Sequence, residues 1–161
     1  MDDFLVSSIQ NQCISRDLTV SIAESCTGGN IAARLVRLPG CSNYFLGSIV
    51  AYTNALKVGV LKVDPQVLAE QGAVSPLVAC QMAQGALKLT GSDLSLAVTG
   101  IAGPEGGTEH IPVGTIWAAI GSQKQEPLIW TFTLTGSRQK IIGNCVETLL
   151  ARFLSFIESY R

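Results

Sequence analysis

Leu18-Thr19-Val20-Ser21-Ile22-Ala23 runs directly into Glu24-Ser25-Cys26-Thr27-Gly28-Gly29, after which Ile31, Leu35 and Leu38 recur until Pro39-Gly40. The first six residues alternate apolar and polar side chains, the period-2 signature of a strand. The next six are polar and glycine-bearing, as a tight turn requires. The last set is spaced for one face of a helix and closes on a Pro-Gly stop. Strand, glycine turn and helix in that order open an α/β unit.

Outward from this unit the pattern repeats and then changes. Phe4, Leu5, Ile9 and Cys13 predict a first amphipathic helix over residues 2–15. Leu46 to Tyr52 reads as an apolar strand, and the stretch beyond it is helical in pieces. Asp64-Pro65 pairs a cap with a first-turn proline, with Gly72 as the stop. Ser75-Pro76 opens a second such helix that runs to about Leu89 and ends before Gly91. Asp93 to Val98 is a strand leading into the loop Thr99–Gly107. Val113–Ile120 and Leu128–Leu134 are strands joined by the polar connector 121–127, which predicts a hairpin. Ser137 caps a long final helix with the stripe Ile141, Cys145, Leu149, Phe153 and Ile157. Early alternation and late strand pairing predict one α/β domain over residues 1–161, a three-layer α/β/α sandwich with a mixed β-sheet.

Composition narrows the function classes. Hydrophobic residues make up 47% and charged residues 14% of 161 residues, against about 25% charged in an average domain, so the chain is globular rather than disordered. The net charge of −1 and pI of about 5.8 leave no basic footprint for nucleic acid. No apolar run reaches the roughly 18 residues of a membrane span, and Met1-Asp2-Asp3-Phe4 is acidic where a signal peptide is positive. Five irregularly spaced cysteines make no secreted disulfide framework, and with His110 as the only histidine no structural zinc set is evident. The expectation is a cytoplasmic protein without metal or cofactor, bound to neither membrane nor nucleic acid.

Two glycine-bearing loops, 24–29 and 99–107, each follow a strand, where open α/β sheets bind ligands. Loop 24–29 also feeds a helix start, an anion-attracting place, with Ser25 and Thr27 adding hydroxyls. Neither loop carries a nucleoside triphosphate or dinucleotide fingerprint, and the glycines also serve simply to permit turns. Arg138, in the first turn of the last helix, opposes the helix dipole unless an anion shares that place; reaching into solvent is its other use. Tyr52 and Lys57 follow ten and fifteen residues after Ser42. A serine needs a base, and with His110 in a distant loop a lysine is the alternative. Spacing alone does not single this pair out, and Tyr52 equally fits a half-buried strand position. Cys26 and Cys41 adjoin the candidate loops but read as small buried residues.

The ordered set Ala23-Glu24-Ser25-Cys26-Thr27-Gly28-Gly29, Gly40-Cys41-Ser42-x-x-Phe45, Tyr52-Thr53-Asn54-x-x-Lys57, Gly72-Ala73-Val74-Ser75, Thr99-Gly100-Ile101-Ala102-Gly103-Pro104-x-Gly106-Gly107 and Pro112-Val113-Gly114-Thr115 resembles the competence-damage-inducible CinA C-terminal family over nearly the whole chain. For members of this length, without the additional N-terminal domain of full-length CinA, the resemblance implies a nicotinamide-nucleotide amidase. Such an enzyme hydrolyses nicotinamide mononucleotide to nicotinate mononucleotide and ammonia, so the implied partner is a small-molecule mononucleotide, alongside self-association into a homo-oligomer. The resemblance implies Ser42 as nucleophile, Lys57 as general base and Tyr52 as completing the catalytic group. It places Ser25, Thr27, Gly28, Gly29, Thr99, Gly100, Gly103 and Arg138 around the substrate. Cys41 stands where the family often has a first serine, and Ile111 where a basic residue commonly precedes Pro-Val-Gly-Thr. A silent nucleotide-binding or regulatory module on the same fold is the competing expectation.

Overall fold

The computed structural model describes residues 3–161. A five-stranded mixed sheet has the order β2-β1-β3-β4-β5. Its strands are β1 (Val20–Glu24), β2 (Phe45–Val50), β3 (Leu94–Gly100), β4 (Thr115–Ser122) and β5 (Leu128–Thr133). β2, β1 and β3 run parallel, and β4 and β5 continue antiparallel as the expected hairpin. The helices are α1 (Phe4–Ser15), α2 (Asn30–Leu35), α3 (Asn54–Gly59), α4 (Pro65–Gln71), α5 (Pro76–Thr90) and α6 (Arg138–Ser159). Asp2, which the expected first helix included, lies outside the described residues.

Side-chain size along the strands separates the two helical layers. Val20 and Ile22 of β1 and Leu94, Leu96 and Val98 of β3 pack with α1, α2 and α6. Ala23, Ala97 and Ala119 face the other way, into a core made with Ala79, Met82, Ala83 and Ala86 of α5. Small residues on both sides bring α5 close to the sheet, and Ser95 Oγ donates to the Ala83 carbonyl at 2.8 Å. The expected stripe of α6 is buried throughout, its Ile, Leu and Phe side chains each contributing roughly 1.5–3 kcal/mol. Among the described residues no helix is long and apolar enough to cross a membrane.

Chain routing creates the cleft. The β1–α2–β2 connection lies on the α1/α6 side, whereas β2 returns to β3 through α3, α4 and α5 on the other side. The chain therefore diverges at the carboxyl ends of β1, β2 and β3, where open α/β sheets bind ligands. Some boundaries differ from expectation. β2 ends at Val50, and Ala51 and Tyr52 peel away into α3, where Thr53 Oγ1 caps by accepting from the Leu56 N–H at 3.3 Å. α2 stops at Leu35, short of Leu38.

Candidate active site

Ser25 follows the last residue of β1, and its N–H donates to the Val98 carbonyl at 3.0 Å, so the neighbouring strand fixes its backbone. Its hydroxyl faces Lys57, which α3 turns inward beneath the end of β2. Lys57 is only 1% exposed. Its Nζ lies 2.9 Å from Ser25 Oγ, 2.8 Å from the Ala51 carbonyl oxygen and 3.3 Å from the Tyr52 carbonyl oxygen.

Two of these three partners are carbonyls, which only accept. A neutral amine has two protons and one lone pair: the protons go to Ala51 and Tyr52, and the lone pair receives the Ser25 Oγ–H. A charged amine donates to all three. Burial pushes the Lys57 amine below its ordinary value, towards the neutral form, against a smaller opposing influence of Cys26. The arrangement can therefore draw a proton from Ser25.

Tyr52 spans the cleft from this pair to a cation. Its carbonyl accepts from Lys57, while its phenol oxygen accepts from Arg138 Nη2 at 2.8 Å. Arg138 Nη1 donates to the Gly103 carbonyl at 2.7 Å, which ties α6 to the loop after β3. Among the described residues these two bonds engage only two of its five guanidinium N–H donors. The cleft has a volume of about 260 Å³, and Ser25, Tyr52, Lys57, Thr99, Gly103 and Arg138 all line it. Three other grooves, of about 390–440 Å³, are roomier, and none of them includes Ser25 or Lys57.

The CinA C-terminal domain family matches residues 2–157. The chain belongs to that family. A CinA-like protein of Geotalea uraniireducens (strain Rf4) is 52% identical over 124 residues, 76% of this chain and 29% of that protein. A CinA-like protein of Geobacter sp. (strain M21) is 44% identical over 160 residues, 99% of this chain and 36% of that protein. The chain thus spans about a third of the length of these curated relatives. The crystal structure of competence damage-inducible protein A from Klebsiella pneumoniae subsp. pneumoniae MGH 78578 matches with a TM-score of 0.94 at 31% identity, covering 98% of both chains. A competence/damage inducible protein from Agrobacterium tumefaciens matches at 0.92 and 37% identity, covering 94% of this chain and 93% of its own.

Not every expected site residue of this CinA domain meets in the cleft. Ser42 is exposed on a short 3-10 turn, Cys41–Asn43, ahead of β2. Phe45 pairs with Val20 at the start of β1, whereas Val50 pairs with Glu24 at its end. The length of β2, roughly 17 Å or more, therefore separates Ser42 from Lys57. Ser25, expected only as a substrate contact, stands where Ser42 was expected.

The helix start after Ser25 is also occupied from within. Glu24, fully buried, sets its carboxylate there, accepting from the N–H groups of Gly29, Ile31 and Ala32 and from the Thr27 hydroxyl. The Thr27 hydroxyl and the Gly29 N–H are thus engaged within the turn, and Gly28 (φ +60) and Gly29 (φ +97) permit its left-handed backbone. Thr99 reaches the cleft, but its hydroxyl donates to the Ala73 carbonyl at 2.8 Å. Gly100 and Gly103 are demanded by their surroundings: a Cβ at Gly100 would lie 2.8 Å from the Thr115 carbonyl oxygen, and Gly103 has a left-handed backbone (φ +78) with Val113 Cγ1 2.5 Å from where its Cβ would be.

Sequence reading missed Glu24. Its signal was an acidic residue between a buried strand and a hydroxyl-glycine turn, a helix-start carboxylate placed upstream of the usual cap. Cys26 is buried, in the same apolar cluster as Cys145. His110 is exposed in its loop.

Proposed function

We propose that the domain is an amidohydrolase that converts nicotinamide mononucleotide and water to nicotinate mononucleotide and ammonia, with Ser25 as nucleophile and Lys57 as its base. The observation that carries this reading is the buried Lys57 amine, held by two acceptor-only carbonyls with its third direction on Ser25 Oγ.

Ser25 Oγ attacks the carboxamide carbon while its proton passes to Lys57 Nζ. The tetrahedral intermediate collapses as Lys57 returns that proton to the departing nitrogen, which leaves as ammonia. Water then attacks the acyl-serine, again losing its proton to Lys57, and nicotinate mononucleotide departs with Ser25 restored. Arg138 sits one tyrosine length from the reacting pair and is a suitable partner for the phosphate at the far end of the substrate. Tyr52 holds both ends of that spacing.

The test is ammonia release by the purified chain from nicotinamide mononucleotide, compared with free nicotinamide, asparagine and glutamine. Selective release from the mononucleotide is expected. Tight binding without turnover would instead favour a nucleotide-binding module, and release from all four amides alike would remove the assigned specificity.

A further inference from the structure

We infer that Glu24 is a positioning residue for the nucleophile, its carboxylate acting as a built-in anion that fixes the turn carrying Ser25. The inference rests on the reading of Ser25 as nucleophile. Glu24 is fully buried, and burying a carboxylate is costly unless donors surround it. Five do. Oε2 accepts from Thr27 Oγ1 at 2.7 Å, from the Gly29 N–H at 3.0 Å and from the Ile31 N–H at 3.1 Å. Oε1 accepts from the Ala32 N–H at 2.9 Å and from Ser48 Oγ at 3.2 Å. One side chain thereby ties β1, the turn, α2 and β2 together.

Ser25 is enclosed by these bonds. Its N–H is held by Val98, and its carbonyl accepts from the Gly28 N–H at 3.1 Å. With the backbone pinned on both sides, the free part of Ser25 is its hydroxyl, aimed at Lys57. A loosened turn would keep the cleft and Arg138 but let Oγ wander from the line between base and carboxamide. Glu24 therefore governs the chemical step rather than substrate capture.

Glu24→Gln tests this with almost no change of volume. A glutamine has one acceptor oxygen, so its NH2 must face either Ala32 or the Gly29/Ile31 pair, donor against donor. Expected is a kcat about 10–100-fold lower with KM for nicotinamide mononucleotide within about threefold, the pattern of a misplaced reacting group. Amide hydrogen exchange should accelerate at residues 26–32 while α5 and α6 stay protected. Thr27→Val, which removes the shortest of the five bonds, should show a weaker version of both changes, and Thr27→Ser should restore them. Should Glu24→Gln fail to fold, the Thr27 pair decides. Wild-type exchange at 26–32 together with wild-type kcat in the folded variants would overturn the inference. If the unmodified chain releases no ammonia, the amidase reading fails, whereas the exchange measurement still judges the clamp.

Discussion

Lys57 Nζ lies 2.9 Å from Ser25 Oγ, and the two residues are 32 positions apart in sequence. They meet because β1 and β2 end side by side and α3 turns back under the junction. Burial lowers the proton affinity of Lys57, and the proposed base works only when neutral. The sign follows: kcat/KM should be low in acid, rise with pH through the lowered lysine value, and level off before the ordinary value of 10.5. A pH–rate profile that is flat, or that rises only above 10.5, would contradict the assignment. Lys57→Arg stays protonated and should abolish turnover.

Arg138→Ala should separate two ligands. Losing a charge-assisted contact costs about 1.5–3 kcal/mol, roughly 10–100-fold in affinity. Binding of nicotinamide mononucleotide should fall by that factor, and binding of the phosphate-free nucleoside much less. Calorimetry on both ligands checks this; equal losses would remove phosphate from Arg138.

Gly85→Ala should destabilise the fold although Gly85 lies inside α5. Glycine to alanine in a helix interior ordinarily gains about 0.5–1 kcal/mol. Here a Cβ would sit 2.0 Å from the Leu61 carbonyl oxygen, which is backbone and cannot swing aside. Overpacking of this kind costs about 1–3 kcal/mol, a fall of several degrees in Tm. A thermal melt at or above wild type would show that α5 can shift outward.

Catalysis should survive chelation. Among the described residues no three His, Cys, Asp or Glu side chains cluster as a metal site, and His110 is exposed. Dialysis against a strong chelator should leave ammonia release unchanged, and a loss restored by one added metal would count against the mechanism.

The layer order was legible because its signals are local. Alternation in Val20–Ala23, the Ser75-Pro76 helix start and the stripe along α6 each declare themselves within one element. The loops that line the cleft were legible for the same reason, since each follows a strand. The partnership within the site was not. Which serine meets Lys57 depends on which end of β2 lies beside the end of β1, and no spacing in the chain encodes that register. Ser42 lies nearer Lys57 in sequence, yet the run of β2 carries it to the far end of the sheet. Glu24 was hidden by chemistry rather than distance: an acidic residue in a buried strand stands out only once its five donors are seen.

The most direct test is ammonia release from nicotinamide mononucleotide by correctly folded Ser25→Ala beside Ser42→Ala and Cys41→Ala. Removing the nucleophile of a catalytic unit lowers turnover by several orders of magnitude. Ser25→Ala should therefore be inactive and form no acyl-enzyme, while Ser42→Ala and Cys41→Ala turn over near the wild-type rate. Near wild-type release by Ser25→Ala, or a collapse of activity in Ser42→Ala with its fold intact, would contradict the account.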